Sequence, residues 1–225
     1  MLIRSRLTKG EEVRFISHLD LARTIERAVR RARLPIAYSQ GFSPRAKIAF
    51  GSALAVGVTS SGEYVDMELT SDIGPDDFLK ILNENLPVGI RFGAAVEIGP
   101  EVPTLMSVIN RASYIITGSQ RQGESLGRAV RNILDSEAIW VERSRKKGTK
   151  TVDIRPWIYS LEALEVNSSR IGVALLVQTG SQGNVRPEEV AERLPFAHNS
   201  MKIHRSGLFI ARGPYLVSPL EVAHC

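Results

Sequence analysis

The sequence has very little cysteine and no long apolar segment. Its 225 residues include one cysteine, Cys225, at the last position. A single cysteine cannot form an intrachain disulfide, a zinc site built on thiolates or an iron–sulfur cluster held by this chain alone. Apolar residues make up 43% of the chain, but they form no run that could span a bilayer, and no signal peptide is visible. We therefore expect a cytoplasmic globular protein with no metal site of its own and no membrane segment.

Charges of both signs are present, but they are distributed unevenly. The chain has 29 basic and 24 acidic residues, a formal net charge of +5. Residues 1–48 contain 11 basic and 4 acidic side chains, residues 49–105 contain 2 and 9, residues 106–160 contain 10 and 5, and residues 161–225 contain 6 and 6. This division indicates a polarised surface, on which the basic segments are candidates for contact with a polyanion.

The first hundred residues predict the order β-α-β-β-α-β. Ser17 and Asp20 resemble a capping box at the start of a helix that ends before Pro35. The other predicted elements are strands at 2–7, 47–58, 64–69 and 90–98, a turn at Ser60–Gly62, and a helix after Asp76. This is the order of a ferredoxin-like unit.

The second half repeats this order less regularly. We predict strands and helices there at 112–117, 124–134, 158–166, 171–178, 187–194 and 203–211. The predicted fold class is therefore α+β, with two tandem ferredoxin-like (βαββαβ) domains at 1–99 and 106–225 and a linker at 100–105. A basic β-hairpin is inserted into the second domain near 139–155.

The first predicted helix is rich in arginine. Arg23, Arg27 and Arg30 recur at i, i+4 and i+7 and so share one face, with Arg31 beside them. A guanidinium group can bond two phosphate oxygens at once. The face is either a nucleic-acid contact or a solvated helix surface that contains a Glu26–Arg30 pair, and the sequence favours neither.

The loop after this helix combines aromatic and cationic side chains. Tyr38 could stack on a base, and Arg45 and Lys47 could hold phosphates. For Phe42 we expect burial, because a loop phenylalanine usually anchors its loop to the core. Gly41 would supply a positive φ angle to the same loop.

The tip of the predicted hairpin is the third basic segment. Residues 141–150 contain five basic side chains and one acid. The candidates for contact there are Arg145, Lys146 and Lys147. A cationic finger could hold a nucleic-acid backbone, although a basic tip is equally typical of a solvated turn.

Three further residues could serve chemistry or structure. His18, at the predicted helix start, could be a general base, or a structural histidine bonded to Asp20 or to a carbonyl. Arg155 and Arg205 could each bind an anion, but Asp153 beside Arg155 favours a role in bracing the seam between domains. No Ser/His/Asp order, metal-ligand spacing or glycine-rich phosphate loop accompanies these residues.

Several motifs together resemble a known bacterial family. They are Val13–Leu21, Leu34–Pro44, Glu63–Asp66, Asp153–Pro156 and His204–Phe209. The chain resembles the radical-SAM-linked family, a poorly characterised group whose members stand beside, or are fused behind, a radical SAM protein with a cobalamin-binding-like region. Where that family often has His-Pro after its Gly-Phe-Ser-Pro stretch, this chain has Arg45-Ala46, so we expect no histidine chemistry there.

The resemblance implies partnership with a radical SAM protein, which would carry the SAM, the iron–sulfur cluster and any cobalamin. We expect this chain to be a non-catalytic, substrate-presenting partner that binds no cofactor and holds structured RNA (tRNA or ribosomal RNA) on its basic surface.

Two alternatives stay open. The first is a metal-independent endoribonuclease, by fold analogy with CRISPR-type enzymes, with His18 as base and Lys47 or Arg45 as charge stabiliser. The second is a module that docks the radical SAM partner without nucleic acid, through acidic residues of 63–101 or through the basic helix.

Overall fold

The computed structural model describes residues 1–145, 148–167, 170–197 and 199–221. Over these ranges the chain is a mixed α+β structure with a large, mostly antiparallel sheet and few helices. The strands are β1 (Leu2–Lys9), β2 (Ile48–Phe50), β3 (Thr59–Glu68), β4 (Ile90–Ile98), β5 (Arg111–Ser119), β6 (Trp140–Arg145), β7 (Gly148–Asp153), β8 (Ile158–Asn167), β9 (Arg170–Gln178), β10 (Lys202–Arg212) and β11 (Tyr215–Val217). The α-helices are α1 (His18–Arg31), α2 (Pro75–Asn83), α3 (Leu105–Val108), α4 (Leu126–Asp135) and α5 (Pro187–Ala191). The predicted α+β class is confirmed, whereas the two ferredoxin-like domains stay a prediction.

The chain divides into two compact units. Unit 1 is Met1–Ile109 together with Gly207–Cys225, and unit 2 is Asn110–Ser206. The division differs from the predicted second domain, 106–225, because β10 begins in unit 2 and ends in unit 1. β11 then pairs with the last residues of β10. Local periodicity predicts that a strand is present, but it carries no information about the unit to which each half of the strand belongs.

The sheet of unit 1 places β1 between β3 and β4, and β2 pairs with β3. All of these pairs are antiparallel. Ile3 and Leu7 of β1 belong to the hydrophobic core. Arg4 alternates with Ile3 and so projects from the opposite face of the sheet, yet it too is fully buried.

Helix α1 begins where the sequence predicts because Ser17 caps it. The Ser17 hydroxyl oxygen accepts the backbone N–H of Asp20 at 3.1 Å, and the hydroxyl donates to the Asp20 carboxylate at 2.7 Å. Leu21, Ile25 and Val29 are buried on the inner face of α1, in one core with residues of the sheet and of α2. This packing leaves the arginine-bearing side of the helix in solvent.

The predicted turn at Ser60–Gly62 is wrong, because these residues lie inside β3. Ser60 pairs with Lys9 across the sheet, where the register of β1 and β3 shifts. The Ser60 hydroxyl oxygen accepts the Gly62 N–H at 3.1 Å, and the hydroxyl donates to the Glu63 carboxylate. These turn-like hydrogen bonds form at an irregularity within a strand. The strand predicted at 47–58 is too long, because β2 covers only Ile48–Phe50.

Unit 2 contains the antiparallel run β5-β9-β8 and the separate hairpin β6–β7. The hairpin lies where the sequence predicts one, with pairing from Trp140 opposite Asp153 to Arg145 opposite Gly148. The sequence predicts its strands at 140–143 and 151–154, and β6 and β7 both extend further toward the tip. Within the described ranges, no helix is long and apolar enough to cross a membrane.

Candidate nucleic-acid interface

The outer side of α1 carries a row of exposed arginines, which we call the arginine face: Arg23, Arg27 and Arg30. Arg23 lies 3.7 Å from the Asp20 carboxylate, and Arg30 lies 2.9 Å from the Glu26 carboxylate. Both arginine side chains stay about 60% exposed (62% and 61%). Arg27 donates to the Thr24 hydroxyl at 3.4 Å and forms no ion pair with a described carboxylate. The face therefore combines its internal pairs with solvent-accessible positive charge.

The arginines at the end of α1 have separate roles. Arg31, a predicted contact residue, donates to the backbone carbonyl of Asn85 and so ties α1 to the residues that follow α2. Arg33 has φ +53°, a left-handed conformation that is uncommon outside glycine, and its side chain is exposed. Arg31 thus contributes to structure. Arg33 follows the last arginine of the arginine face by three positions and adds an exposed positive charge.

The loop between Tyr38 and Ala46 is a closed hairpin, which we call the Phe42 loop. Tyr38 pairs with Ala46 in an isolated antiparallel bridge. The Ser39 N–H donates to the Arg45 carbonyl at 2.8 Å, and the Arg45 N–H donates to the Ser39 hydroxyl at 3.0 Å. These bonds fix the base of the loop, so its outer residues extend from an ordered backbone.

The expectation that Phe42 is buried is wrong, because its side chain is fully exposed. Gly41 beside it has φ +121°, as predicted, and open space surrounds the position of a Cβ there. Tyr38, the predicted stacking residue, lies at the base of the loop and is 39% exposed. The aromatic ring most available to a ligand in this loop is therefore that of Phe42.

The two cations of this loop have different environments. The Lys47 ammonium group bonds both carboxylate oxygens of Glu68, at 2.8 and 2.9 Å. The Arg45 side chain is exposed and has no ion pair with any residue that the structure describes. Of the two predicted contacts, Arg45 is the one whose charge is open to a ligand.

The start of α1 contains the residues considered for acid–base chemistry. The ring of His18 packs edge-on against Phe50, with 5.0 Å between centroids. The hydrogen bond from the Ser17 hydroxyl lowers the pKa of Asp20, and the backbone of Ser17 and the charges of Arg23 and Arg27 lower it further by smaller amounts. Asp20 therefore acts as a capping residue and as a carboxylate at the edge of the arginine face.

Two arginines that could serve either anion binding or structure lie in structural environments. The Arg155 guanidinium donates to the carbonyl of Leu134 at 2.6 and 3.2 Å, and to that of Ile158 at 3.2 Å. It thus braces the end of α4 within unit 2, whereas we expected it at a seam between domains. Arg205 lies within β10 and is only 2% exposed, so it offers no surface to a ligand.

One cation of the basic hairpin forms an ion pair within unit 2. Arg143 bonds both carboxylate oxygens of Glu189 at 2.7 Å, and this contact joins β6 to α5. Lys146 and Lys147, predicted contacts at the tip, lie outside the described residues, as does Cys225. Arg145 is described by its backbone in β6. The hairpin therefore stays a predicted contact.

Two surface features of the protein are not predicted from the sequence. A groove of about 500 Å³ in unit 2 runs along α4, with Arg128, Asn132, Trp140 and Arg193 among its lining residues. In unit 1, Phe15 is 69% exposed, and the Arg14 guanidinium lies 4.4 Å from its ring centroid. Both depend on side-chain exposure, for which the surrounding sequence gives no signal. No group of three or more potential metal ligands occurs within the described ranges.

The fold and the surface of unit 1 define a mixed α+β protein with an exposed arginine face and a protruding aromatic loop. Comparison with family models identifies its relatives. The chain belongs to DUF2344, a family described as an uncharacterized protein conserved in bacteria, whose model matches residues 3–187. A search of curated proteins found no match.

Among solved structures, similar chains occur in the following three complexes. One is from a Cbf5–Nop10–Gar1 complex, with TM-score 0.45, 11% identity and coverage of 94% of this chain and 48% of that chain. Another is from an H/ACA ribonucleoprotein bound to a substrate RNA, with TM-score 0.39, 11% identity and coverage of 94% and 47%. A third is from the archaeal box H/ACA Nop10–Cbf5 complex, with TM-score 0.41, 12% identity and coverage of 92% and 47%. This protein spans about half the length of each of these chains, and its own side chains must indicate what it binds.

Proposed function

We propose that this protein binds RNA through the arginine face of α1 and presents it to a radical SAM partner. The observation that carries the proposal is the exposure of the arginine face, on which Arg27 forms no ion pair with a described carboxylate. Arg33 and Arg45, both exposed, add positive charge from the same unit. Structured RNA, such as tRNA or ribosomal RNA, is the polyanion that we expect to bind.

The physical basis is the release of counterions from the RNA backbone. Each phosphate that a guanidinium group neutralises frees condensed cations, so binding weakens as salt rises. Arginine suits this task because its planar fork bonds two phosphate oxygens at once and stays charged at every physiological pH. The ion pairs of Arg23 and Arg30 are exposed, so they are weak enough for phosphate to compete with them.

The radical SAM component of the proposal has a different support. It comes from the motifs at Val13–Leu21 and Leu34–Pro44, which resemble those of the radical-SAM-linked family. The SAM, the iron–sulfur cluster and any cobalamin would belong to the partner. The two ferredoxin-like domains belong to the same proposal, and the sheet orders β4-β1-β3-β2 and β5-β9-β8 support them.

The test is RNA binding measured across a salt gradient with charge-reversed variants. Arg27→Glu with Arg30→Glu should weaken binding and make the slope of log K against log salt shallower by about 1.5, because each lost phosphate contact removes about 0.7 to 0.9. The matched control is Lys80→Glu with Arg91→Glu, which reverses two exposed charges elsewhere in unit 1. No binding of tRNA or ribosomal RNA by the wild type at low salt would overturn the RNA component.

The partner component needs its own measurement. The protein should co-purify with the proposed radical SAM partner, and RNA should reach that partner more efficiently when this chain is present. Absence of a complex in both the presence and the absence of RNA would overturn this component and would leave RNA binding standing.

A further inference from the structure

The Phe42 loop carries an aromatic side chain with no contact to cover it. We propose that Phe42 stacks on an unpaired base, so that the RNA bound by this protein is recognised at a single-stranded segment or loop. The proposal rests on the RNA binding proposed above, and it adds the kind of RNA that binds.

The loop fixes the backbone on both sides of the ring. The bridge between Tyr38 and Ala46, and the two hydrogen bonds between Ser39 and Arg45, close the loop on both sides of its tip. The Lys47 N–H continues this pattern with a 2.8 Å bond to the carbonyl of Ala37. An aromatic ring on an ordered hairpin loses little conformational freedom when it binds, which favours a role in recognition.

The exposure of Phe42 is unusual for its residue type. Phenylalanine is among the residues most often buried in proteins, because removing its side chain from water releases free energy. Here the whole side chain is in solvent. A ligand that covers the ring recovers this free energy, so the tip is suited to bind a flat apolar surface.

The surroundings of the ring favour a base over a protein pocket. Pro44 is the other apolar residue between Ser39 and Arg45, and the neighbours of Phe42 include the polar Gln40 and Ser43. The core of a protein–protein contact is apolar and depleted of charge, unlike this loop. A ring and an exposed arginine in one loop are instead a combination that binds single-stranded nucleic acid, since the ring stacks on a base while the cation holds the backbone.

An unpaired base is required because a duplex hides the faces of its bases. In an A-form helix each base is stacked on both sides, and the deep major groove excludes protein side chains. A ring at the tip of a loop can therefore stack only where the RNA has a bulge, a loop or a free end.

The test compares single-stranded and duplex RNA of one sequence, with 2-aminopurine as a fluorescent base. Phe42→Ala should weaken single-strand binding about tenfold, within the range expected for one stacked base, and should change duplex binding less than about twofold. It should also abolish the quenching of 2-aminopurine without changing the salt slope, and Phe42→Trp should restore both binding and quenching.

Two controls separate stacking from general effects of the surface. Tyr215→Ala removes another exposed aromatic ring of unit 1, 72% exposed, and should leave both RNA affinities unchanged. Arg45→Gln should make the salt slope for single strands shallower by about 0.7, because it removes one phosphate contact.

The outcomes distinguish this inference from the proposed function. If the wild type binds single strands in a salt-dependent way and Phe42→Ala binds them equally well, the stacking role is overturned and RNA binding stands. If the wild type binds neither RNA at low salt, the proposed function fails as well. If Phe42→Ala keeps RNA binding but loses the radical SAM partner, the ring belongs to a protein contact and the inference is overturned.

Discussion

Unit 1 uses arginine in two opposite ways, on the sheet and on helix α1. Arg4 of β1 is fully buried, and its guanidinium bonds both carboxylate oxygens of Asp66 at 2.8 and 2.9 Å. It also donates to the carbonyls of Pro103 and Pro219. On the arginine face of α1 the guanidinium groups are mostly in solvent, with at most one carboxylate partner for each.

The difference shows that positive charge in the sequence is not the same as positive charge available to a ligand. Arg4 has its hydrogen-bonding capacity engaged inside the protein, and the same is true of Arg155 in unit 2. The arginines of α1 keep donors free for an external acceptor. Four protein oxygens surround the guanidinium group of Arg4, and this defines a structural role. Solvent surrounds the row of guanidinium groups on the arginine face, and this defines a binding surface.

The carboxylates of the acidic segment, residues 49–105, are likewise divided into buried and exposed groups. Asp66 and Glu63 contribute to the net charge of residues 49–105, yet both are buried. Asp76 and Asp77, in the first turn of α2, are exposed. The acidic surface considered as a docking site is therefore smaller than the count of carboxylates predicts.

Removal of the buried partner should have the largest effect. Asp66→Ala leaves Arg4 buried without a counter-charge, and it should lower the free energy of unfolding by about 3–5 kcal/mol. Urea denaturation measures the change. The control Asp77→Ala, at an exposed carboxylate, should stay within about 0.5 kcal/mol of the wild type.

A double replacement tests the cause of this loss. Arg4→Met with Asp66→Leu removes both charges and should be more stable than Asp66→Ala alone, because no unpaired ion remains. A single variant as stable as the wild type would contradict the structural role assigned to Arg4.

The cap of α1 should have an intermediate effect. Ser17→Ala should cost about 1 kcal/mol at neutral pH, since one backbone N–H at the helix start loses its acceptor. Thermal unfolding measures this cost. Ser17→Thr is the matched control, because it keeps the hydroxyl and should retain most of the stability.

The same substitution has a predicted pH dependence. The hydrogen bond from Ser17 lowers the pKa of Asp20 from its ordinary value of 3.8. A carboxylate whose pKa is lowered on folding contributes stability above that ordinary value and loses it as the pH falls through the lowered pKa. The difference in the free energy of unfolding between Ser17→Ala and the wild type should therefore become smaller in acid. An NMR titration should show that the pKa of Asp20 is higher in the variant than in the wild type. An unchanged titration would contradict the assigned bond.

The exposed pair on the arginine face should have the smallest effect on stability. Glu26→Gln removes the partner of Arg30 and should change the free energy of unfolding by less than about 0.5 kcal/mol. The same change removes a negative charge from the proposed RNA surface, so RNA affinity should rise modestly, by about twofold at low salt. A loss of affinity in the salt-gradient assay would contradict the proposed role of this face.

The sequence predicts the local features of this protein well. Ser17 and Asp20 are three residues apart, and their spacing alone predicts the cap that the structure contains. The alternation of apolar residues likewise predicts the positions of most strands. These features succeed because the groups that determine them are neighbours along the chain.

The contacts that decide function are not local. Lys47 is engaged by Glu68, 21 positions away, and Arg4 by Asp66, 62 positions away. The exposure of Phe42 likewise depends on how far its loop extends from the sheet. A sequence without an alignment carries no signal for such pairings, so it identifies the arginine face as basic but cannot separate free cations from engaged ones.

The discontinuity of unit 1 has a consequence for how the protein is made. Residues 1–109 emerge from the ribosome long before Pro219, whose carbonyl accepts a bond from Arg4, and before Ser218, whose hydroxyl lies 3.2 Å from that of Tyr64. Unit 2, by contrast, is one continuous segment, Asn110–Ser206, and can complete its contacts as soon as it is synthesised. Until residues 218 and 219 have been synthesised, Arg4 has its bonds to Asp66 and Pro103 but lacks the one to Pro219, and Tyr64 lacks the Ser218 hydroxyl beside it.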